Sequence, residues 1–297
     1  MAQHQNNKEI TALLHLMDDP DTEVFETVAG RLLDYGKAII PRLEQLWEST
    51  LDETVQSRIE NLIHRALFQE LQKNFAAWVK KKNPSLLDGA LLVAGYRYPE
   101  LDKDMVLSEI ETAQKNIWLE LNHYLSPLEQ VNVINCILYS YYKIRGEDNV
   151  NKDADLYCLN RLLDSKHGNS FSIGILYLVI CETLDIPIFG VNLPRQFILG
   201  FFDSLYHFLS PNDNPVQNIQ FYIDPVNGMI YTQNDVNVYL NKINQRQSLG
   251  QIKPLSAREI IFKMLEELSA TYYLHHDEEK AEEIKQLLEI LRPHIPD

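Results

Sequence analysis

The chain has 297 residues, 45% of them hydrophobic, enough for two or three modest domains around at least one sizeable core. Its 27 Lys+Arg against 42 Asp+Glu leave a formal net charge of -15, which repels phosphate backbones and anionic lipid, so neither nucleic acid nor a membrane is an expected partner.

The opening MAQHQNNKEI has neither the basic flank nor the apolar core of a secretory signal. From Glu9 to about Lys82 the apolar residues keep helical spacing: Ile10, Leu13, Leu14 and Met17, then Val24, Val28 and Leu32, then Ile39, Ile40, Leu43 and Leu46. Asp18 to Asp21 supplies N-cap carboxylates beside a proline, and Gly36 closes the helix that contains Leu32 and Leu33. The stretch MDDPDTEVFETVAGRLLDYGKAIIPRLEQLW resembles a HEAT repeat, and Leu51 to Trp78 reads as a second, degenerate unit. Residues 1–82 are therefore expected to form a short helical region that either binds a protein or packs on the rest of the chain.

KKKNPSLLDG breaks the pattern, its lysines reading as a solvated helix end. Leu101 to Tyr142 returns to helical spacing, and Arg145 to Asp155 reads as a charged loop. KHGNSFSIGILY then joins Gly-Asn-Ser punctuation to the longest apolar run, Phe171 to Cys181, which is too short to cross a bilayer and reads as a buried helix. Beyond it the period changes. IPIFGVNLP, RQFILGFFD and IQFYIDPVNGMIY are short, β-branched and aromatic, and bounded by turn formers, as strands and hairpins are. The last forty residues are helical again, with Leu265, Leu268 and Tyr272 on one stripe and Ala281, Ile284, Leu288 and Leu291 on the next. This tail resembles one tetratricopeptide hairpin, which has to lie on the central domain to bury itself. His275, His276, Asp277 and Glu278 in its turn read as a solvated turn, so no metal is expected, and no cofactor either. The three cysteines, Cys136, Cys158 and Cys181, lie in apolar segments without C-x-x-C spacing, which points to a reducing, cytoplasmic setting.

YCLNRLLDSKHGNSFSIGILYLVICETLDIPIFGVNLPRQFIL, followed by FYIDPVNG, resembles the transglutaminase-like superfamily, in its bacterial SirB-type branch. The resemblance covers about Asp104 to Asn244. It implies an α+β fold, mostly helical, in which a helix packs on a small antiparallel sheet in a transglutaminase-like, papain-like domain over 83–250, with the helical hairpin at 251–297. It also implies a site. Active members carry a Cys-His-Asp triad, with the cysteine at a helix N-terminus where dipole and imidazole favour the thiolate. The cysteine slot falls on Ser170, the histidine slot on Gln196 and the aspartate slot on Asp224.

The residues present change the chemistry. A serine needs a base to attack, and Gln196 cannot take its proton, which forfeits about 10²–10⁴ in rate. Ser170 is accordingly read as the N-cap of the following helix, with Asn169 as the other candidate; Gly168 is expected to turn the chain. Asp224 is either a vestige of the triad or plain Asp-Pro turn chemistry. A rebuilt site could draw on His207, Cys158 or Cys181. Arg195, where the branch pattern L-P-G-H-F has glycine, offers a fork of donors to a carboxylate or phosphate. The expected function is a noncatalytic cytoplasmic interaction or regulatory module whose protein partners the sequence does not name. The alternatives are a hydrolase or acyltransferase using Ser170 or a relocated Cys/His pair, and a binder of a small anion or peptide in the former cleft.

Overall fold

The computed structural model describes residues 2–147, 153–203, 218–245 and 252–295, with side chains from residue 8. Its contacts divide the chain into two compact units, Met1–Phe75 and Ala76–Asp297.

The first unit is helical: α1 (Ala2–Leu14), α2 (Thr22–Leu33), a 3-10 turn at Gly36–Ile39, α3 (Ile40–Ser49) and most of α4 (Glu53–Val79). Asp21 caps α2 by accepting from the Glu23 N–H, and Gly36 takes the left-handed φ of +59° after it. Met17, Val28, Leu32, Ile39, Leu43, Ile59 and Leu62 form its core. Arg58 lies over the Phe25 ring and donates to the carbonyls of Met17 (3.1 Å) and Asp19 (2.7 Å), satisfying the loop that the DDPD stretch makes. The region expected as a second, degenerate helix pair is one uninterrupted helix, α4. Nothing between Glu53 and Val79 is a glycine or proline, so nothing stops it.

The second unit continues with α5 (Leu86–Arg97), α6 (Lys103–Glu120) and α7 (Pro127–Asn135), which runs into a π-helical turn at Cys136–Tyr141. Strand β1 (Arg145–Gly146), helix α8 (Leu159–Ser165), strand β2 (His167–Gly168) and helix α9 (Ser170–Thr183) follow. Strands β3 (Ile188–Leu193), β4 (Gln196–Phe202), β5 (Ile219–Ile223) and β6 (Ile230–Tyr231) then make one antiparallel sheet in that order. Helix α10 (Gln233–Lys242) and the pair α11 (Ala257–Leu274) and α12 (Glu278–Leu291) complete it. The fold is α+β and mostly helical, with the predicted strands where the period of the sequence changes.

Two features are not legible in the sequence. Within the stretch read as a loop, Arg145 and Gly146 pair in parallel with His167 and Gly168, and so tie that segment to the entry of α9. Helix α10 follows the sheet behind a capping box in which Thr232 and Asp235 exchange hydrogen bonds.

Helix α9 is the centre of the unit: every residue from Phe171 to Cys181 is buried. The sheet covers it with the alternate residues of β4, Phe197 stacking on Phe171 at 4.7 Å between ring centroids. The other face of the sheet carries Val191, Leu193, Ile198 and Tyr222 against Val236 and Leu240 of α10. In the hairpin α11–α12 the predicted stripes are buried, and Asp277 caps α12 by accepting from the Lys280 N–H. No helix among the described residues is long and apolar enough to cross a membrane.

Candidate functional site

Ser170, Gln196 and Asp224 all line one cavity of about 410 Å³. Each reaches it from a different element.

Ser170 opens α9. It is not the cap. Asn169 is, its Oδ1 accepting from the N–H groups of Phe171 and Ser172 at 3.0 Å each, while Ser172 Oγ accepts from the Asn169 N–H at 3.1 Å. The reason lies three residues on: Asn169 has a hydroxyl at the third helical position to close a capping box, whereas Ser170 would have Ile173. Freed from capping, the Ser170 side chain makes no hydrogen bond to a described residue, and it is only half-buried. Gly168 also has a different task from the turn expected of it. Lys166 takes the left-handed φ of +63° at the end of α8, and Gly168 instead allows close approach, since a Cβ there would sit 2.5 Å from Ser172 Oγ.

Gln196 is the first residue of β4 and is exposed. Its pairing with Leu193 puts it on the face of the sheet shared with Val191 and Ile198, so the β4 side chain laid on the first turn of α9 is Phe197. Arg195 precedes it in the two-residue turn between β3 and β4, with φ +66°, and is exposed on the cavity wall. The turn is held from α10, where the Tyr239 hydroxyl donates to the Pro194 carbonyl at 2.7 Å.

Asp224 follows β5. Its Oδ1 accepts from the Val226 N–H at 2.9 Å, and its carbonyl accepts from the Gly228 N–H, the hydrogen bonds of an Asp-Pro turn. Two side chains fix this turn from α7 and the π-helical segment: Tyr139 donates to the Pro225 carbonyl at 2.7 Å and Asn135 to the Gly228 carbonyl at 2.8 Å. Gly228, at φ +73°, is where a Cβ would run into the Tyr139 ring, at 2.6 Å.

Glu147, Tyr157 and Glu267, which the sequence did not single out, line the cavity as well. Glu147 is placed by the β1–β2 pairing, its N–H donating to the Gly168 carbonyl, and its Oε1 lies 2.7 Å from Nδ1 of His167. Tyr157 is buried, its hydroxyl 3.5 Å from Glu267 Oε2 and its pKa pushed up by burial to about 12, so it is a neutral donor. Glu267 comes from α11, a long way down the chain, and no local pattern could have announced it.

No thiol or imidazole is among the residues that line the cavity within the described parts of the chain. Cys158 and Cys181 are buried, and burial pushes the Cys158 thiol up to about 12 and the Cys181 thiol higher than its ordinary value, the opposite of activation. Cys136, although it lies in an apolar segment of the sequence, is exposed on the π-helical turn. His207 lies outside the described residues.

Residues 104–266, more than half of the chain, match the family model described as the transglutaminase-like superfamily. The chain is 23% identical over 225 residues to Protein SirB1 of Salmonella typhimurium, an alignment covering 72% of this chain and 76% of that protein. It is 24% identical over 207 residues to a UPF0162 protein of Xylella fastidiosa, covering 67% and 69%, and 22% identical over 214 residues to the UPF0162 protein YchA of Escherichia coli, covering 71% and 75%. No solved structure matches the chain significantly.

Proposed function

Because this chain belongs to the transglutaminase-like superfamily, in its SirB-type branch, we propose that it is a noncatalytic member, a cytoplasmic interaction or regulatory module that keeps the cleft of the fold without its chemistry. The observation that carries the reading is that Ser170, Gln196 and Asp224 line one cavity whose described walls offer no thiolate and no imidazole base. The Ser170 hydroxyl makes no hydrogen bond to a base among the described residues, so the general-base contribution of about 10²–10⁴ in rate is not in place, and Asp224 already accepts a hydrogen bond within its own turn. Leu119 and Tyr141, each more than 60% exposed on a shallow apolar groove shared with Val133 and Ile137, support the interaction half of the reading.

The test is covalent labelling. Incubation of the intact protein with phenylmethylsulfonyl fluoride and a fluorophosphonate, followed by peptide mass spectrometry, is expected to leave Ser170 unmodified. Stoichiometric modification of Ser170 would restore the hydrolase or acyltransferase alternative.

A second reading, that the cleft binds a small ligand, is favoured by one specific observation: the cavity is open rather than filled, and polar groups from four separate elements converge on it.

A further inference from the structure

We infer that the cleft binds a short zwitterion, an amino acid or a peptide of two or three residues with both termini free, its carboxylate held by Arg195 and its ammonium group by the carboxylates of Glu147, Asp224 and Glu267. The inference rests on the reading of the cleft as a binding rather than a reacting site.

Groups of both charges line the cavity. On the side of the β3–β4 turn, Arg195 and Gln196 make no side-chain hydrogen bond or ion pair to another described residue. An arginine without an ion pair among the described residues is notable on a chain with a formal charge of -15, where carboxylates are plentiful. Its guanidinium is a planar fork of donors suited to two oxygens at once, and the Gln196 amide adds a further donor. The tyrosine clamp on Pro194 holds the turn, and with it the backbone of Arg195, in place. Three carboxylates line the same cavity. Glu147 is engaged by His167, Asp224 by the Val226 N–H, and Glu267 by the region of Tyr157, and each is still on the cavity wall.

This distribution selects by charge. A free phosphate would meet three carboxylates for one guanidinium, and a diamine would leave Arg195 facing a cation; both arrangements are repulsive at short range. A ligand with one charge of each sign at its two ends meets neither penalty. The volume, about 410 Å³, lies at the lower end of small-ligand pockets, which suits two or three residues. Phe197 and Leu156 supply apolar wall for a side chain.

The experiment is isothermal titration of the full chain with alanyl dipeptides whose second residue is leucine, glutamate or lysine, each in free, C-terminally amidated and N-acetylated form, and with free leucine. At least one free dipeptide, or leucine, is expected to bind, and either cap is expected to weaken it about tenfold or more. Arg195→Gln is expected to weaken the free form about tenfold while leaving the amidated form unchanged, a selectivity that misfolding would not produce. Leucine binding as tightly as the dipeptides, with the same loss in Arg195→Gln, supports the inference and assigns the zwitterion to a free amino acid. Capped forms binding as well as free ones, or no binding by any probe, would overturn it. Release of free alanine from a bound dipeptide would instead overturn the noncatalytic reading, so the two failures are distinct.

Discussion

Along helix α9 the body and the first turn differ in how completely their side chains are engaged. From Phe171 to Cys181 every residue is buried, and the one hydroxyl among them, Ser172, both closes the capping box and donates to the Leu156 carbonyl at 2.6 Å. One residue earlier, Ser170 is half-buried and its side chain makes no hydrogen bond to a described residue. The scaffold that would present a nucleophile is thus built to full density, while the position that would carry it contributes nothing to the building. Stability and chemistry occupy adjacent residues of one helix, and substitutions can separate them.

The largest expected effect is in the body. Ile180 is fully buried at the end of α9 far from the cleft, and Ile180→Ala should cost about 2–5 kcal/mol through lost burial and an unfilled cavity. Urea denaturation read by circular dichroism checks it. A loss under about 1 kcal/mol would mean that the helix body is less tightly packed than its burial implies. The first turn sharpens the contrast. Asn169→Ala should cost about 1–2 kcal/mol, because two buried-end N–H groups lose their acceptor. Ser170→Ala should stay within about 0.5 kcal/mol, as for a surface position with no partner. The reverse order would return the cap to Ser170.

A third expectation concerns the segment that leads into the cleft. Asp155 lies beside Leu156 and Tyr157 of the cavity wall and accepts from the Tyr98 hydroxyl (2.7 Å) and from Arg97. Burial alone would raise its pKa, but those hydrogen bonds, with the charges of Arg97 and Arg161, outweigh burial and hold it below the ordinary carboxylate value. A carboxylate depressed in the folded state contributes stability that is fully present above its unfolded pKa of about 4 and is lost as pH falls through the folded value. The urea midpoints of the native protein and of Asp155→Asn should therefore differ at pH 7 and converge as the pH drops below about 4. A constant difference across that window would show that Asp155 contributes geometry and not charge.

Much of this contrast was legible in the sequence, and what was not has physical causes. The buried helix and the strands after it announced themselves through the Gly-Asn-Ser punctuation and the change of period. That Ser170, Gln196 and Asp224 line one cavity was within reach of the sequence only through a resemblance whose spacing spans all three elements. The cap was misread by one residue because Asn and Ser are near-equal N-caps, yet Ser172 three residues after Asn169 was the signal that decides between them. Glu147 and Glu267 were out of reach. One is placed by a two-residue parallel pairing and the other by the docking of α11, and a long-range contact leaves no mark on the local pattern.

The smallest expected effect bears on the β3–β4 turn. Arg195 holds φ +66°, a conformation in which a side chain crowds its own backbone, at the second position of a turn that begins with proline. Glycine meets no such penalty, and in the SirB-type pattern glycine is the residue that this position resembles. Arg195→Gly should thus stabilise the fold, by about 0.5–1 kcal/mol once the greater freedom of glycine in the unfolded chain is set against the relieved strain. The gain would appear as a higher urea midpoint with an unchanged slope. Glycine has no side chain to offer a ligand, so the same substitution should abolish the Arg195-dependent part of zwitterion binding. A residue that costs stability where it stands and makes no side-chain hydrogen bond or ion pair among the described residues is placed for something outside the chain; a lower midpoint in Arg195→Gly would show instead that the arginine supports the fold.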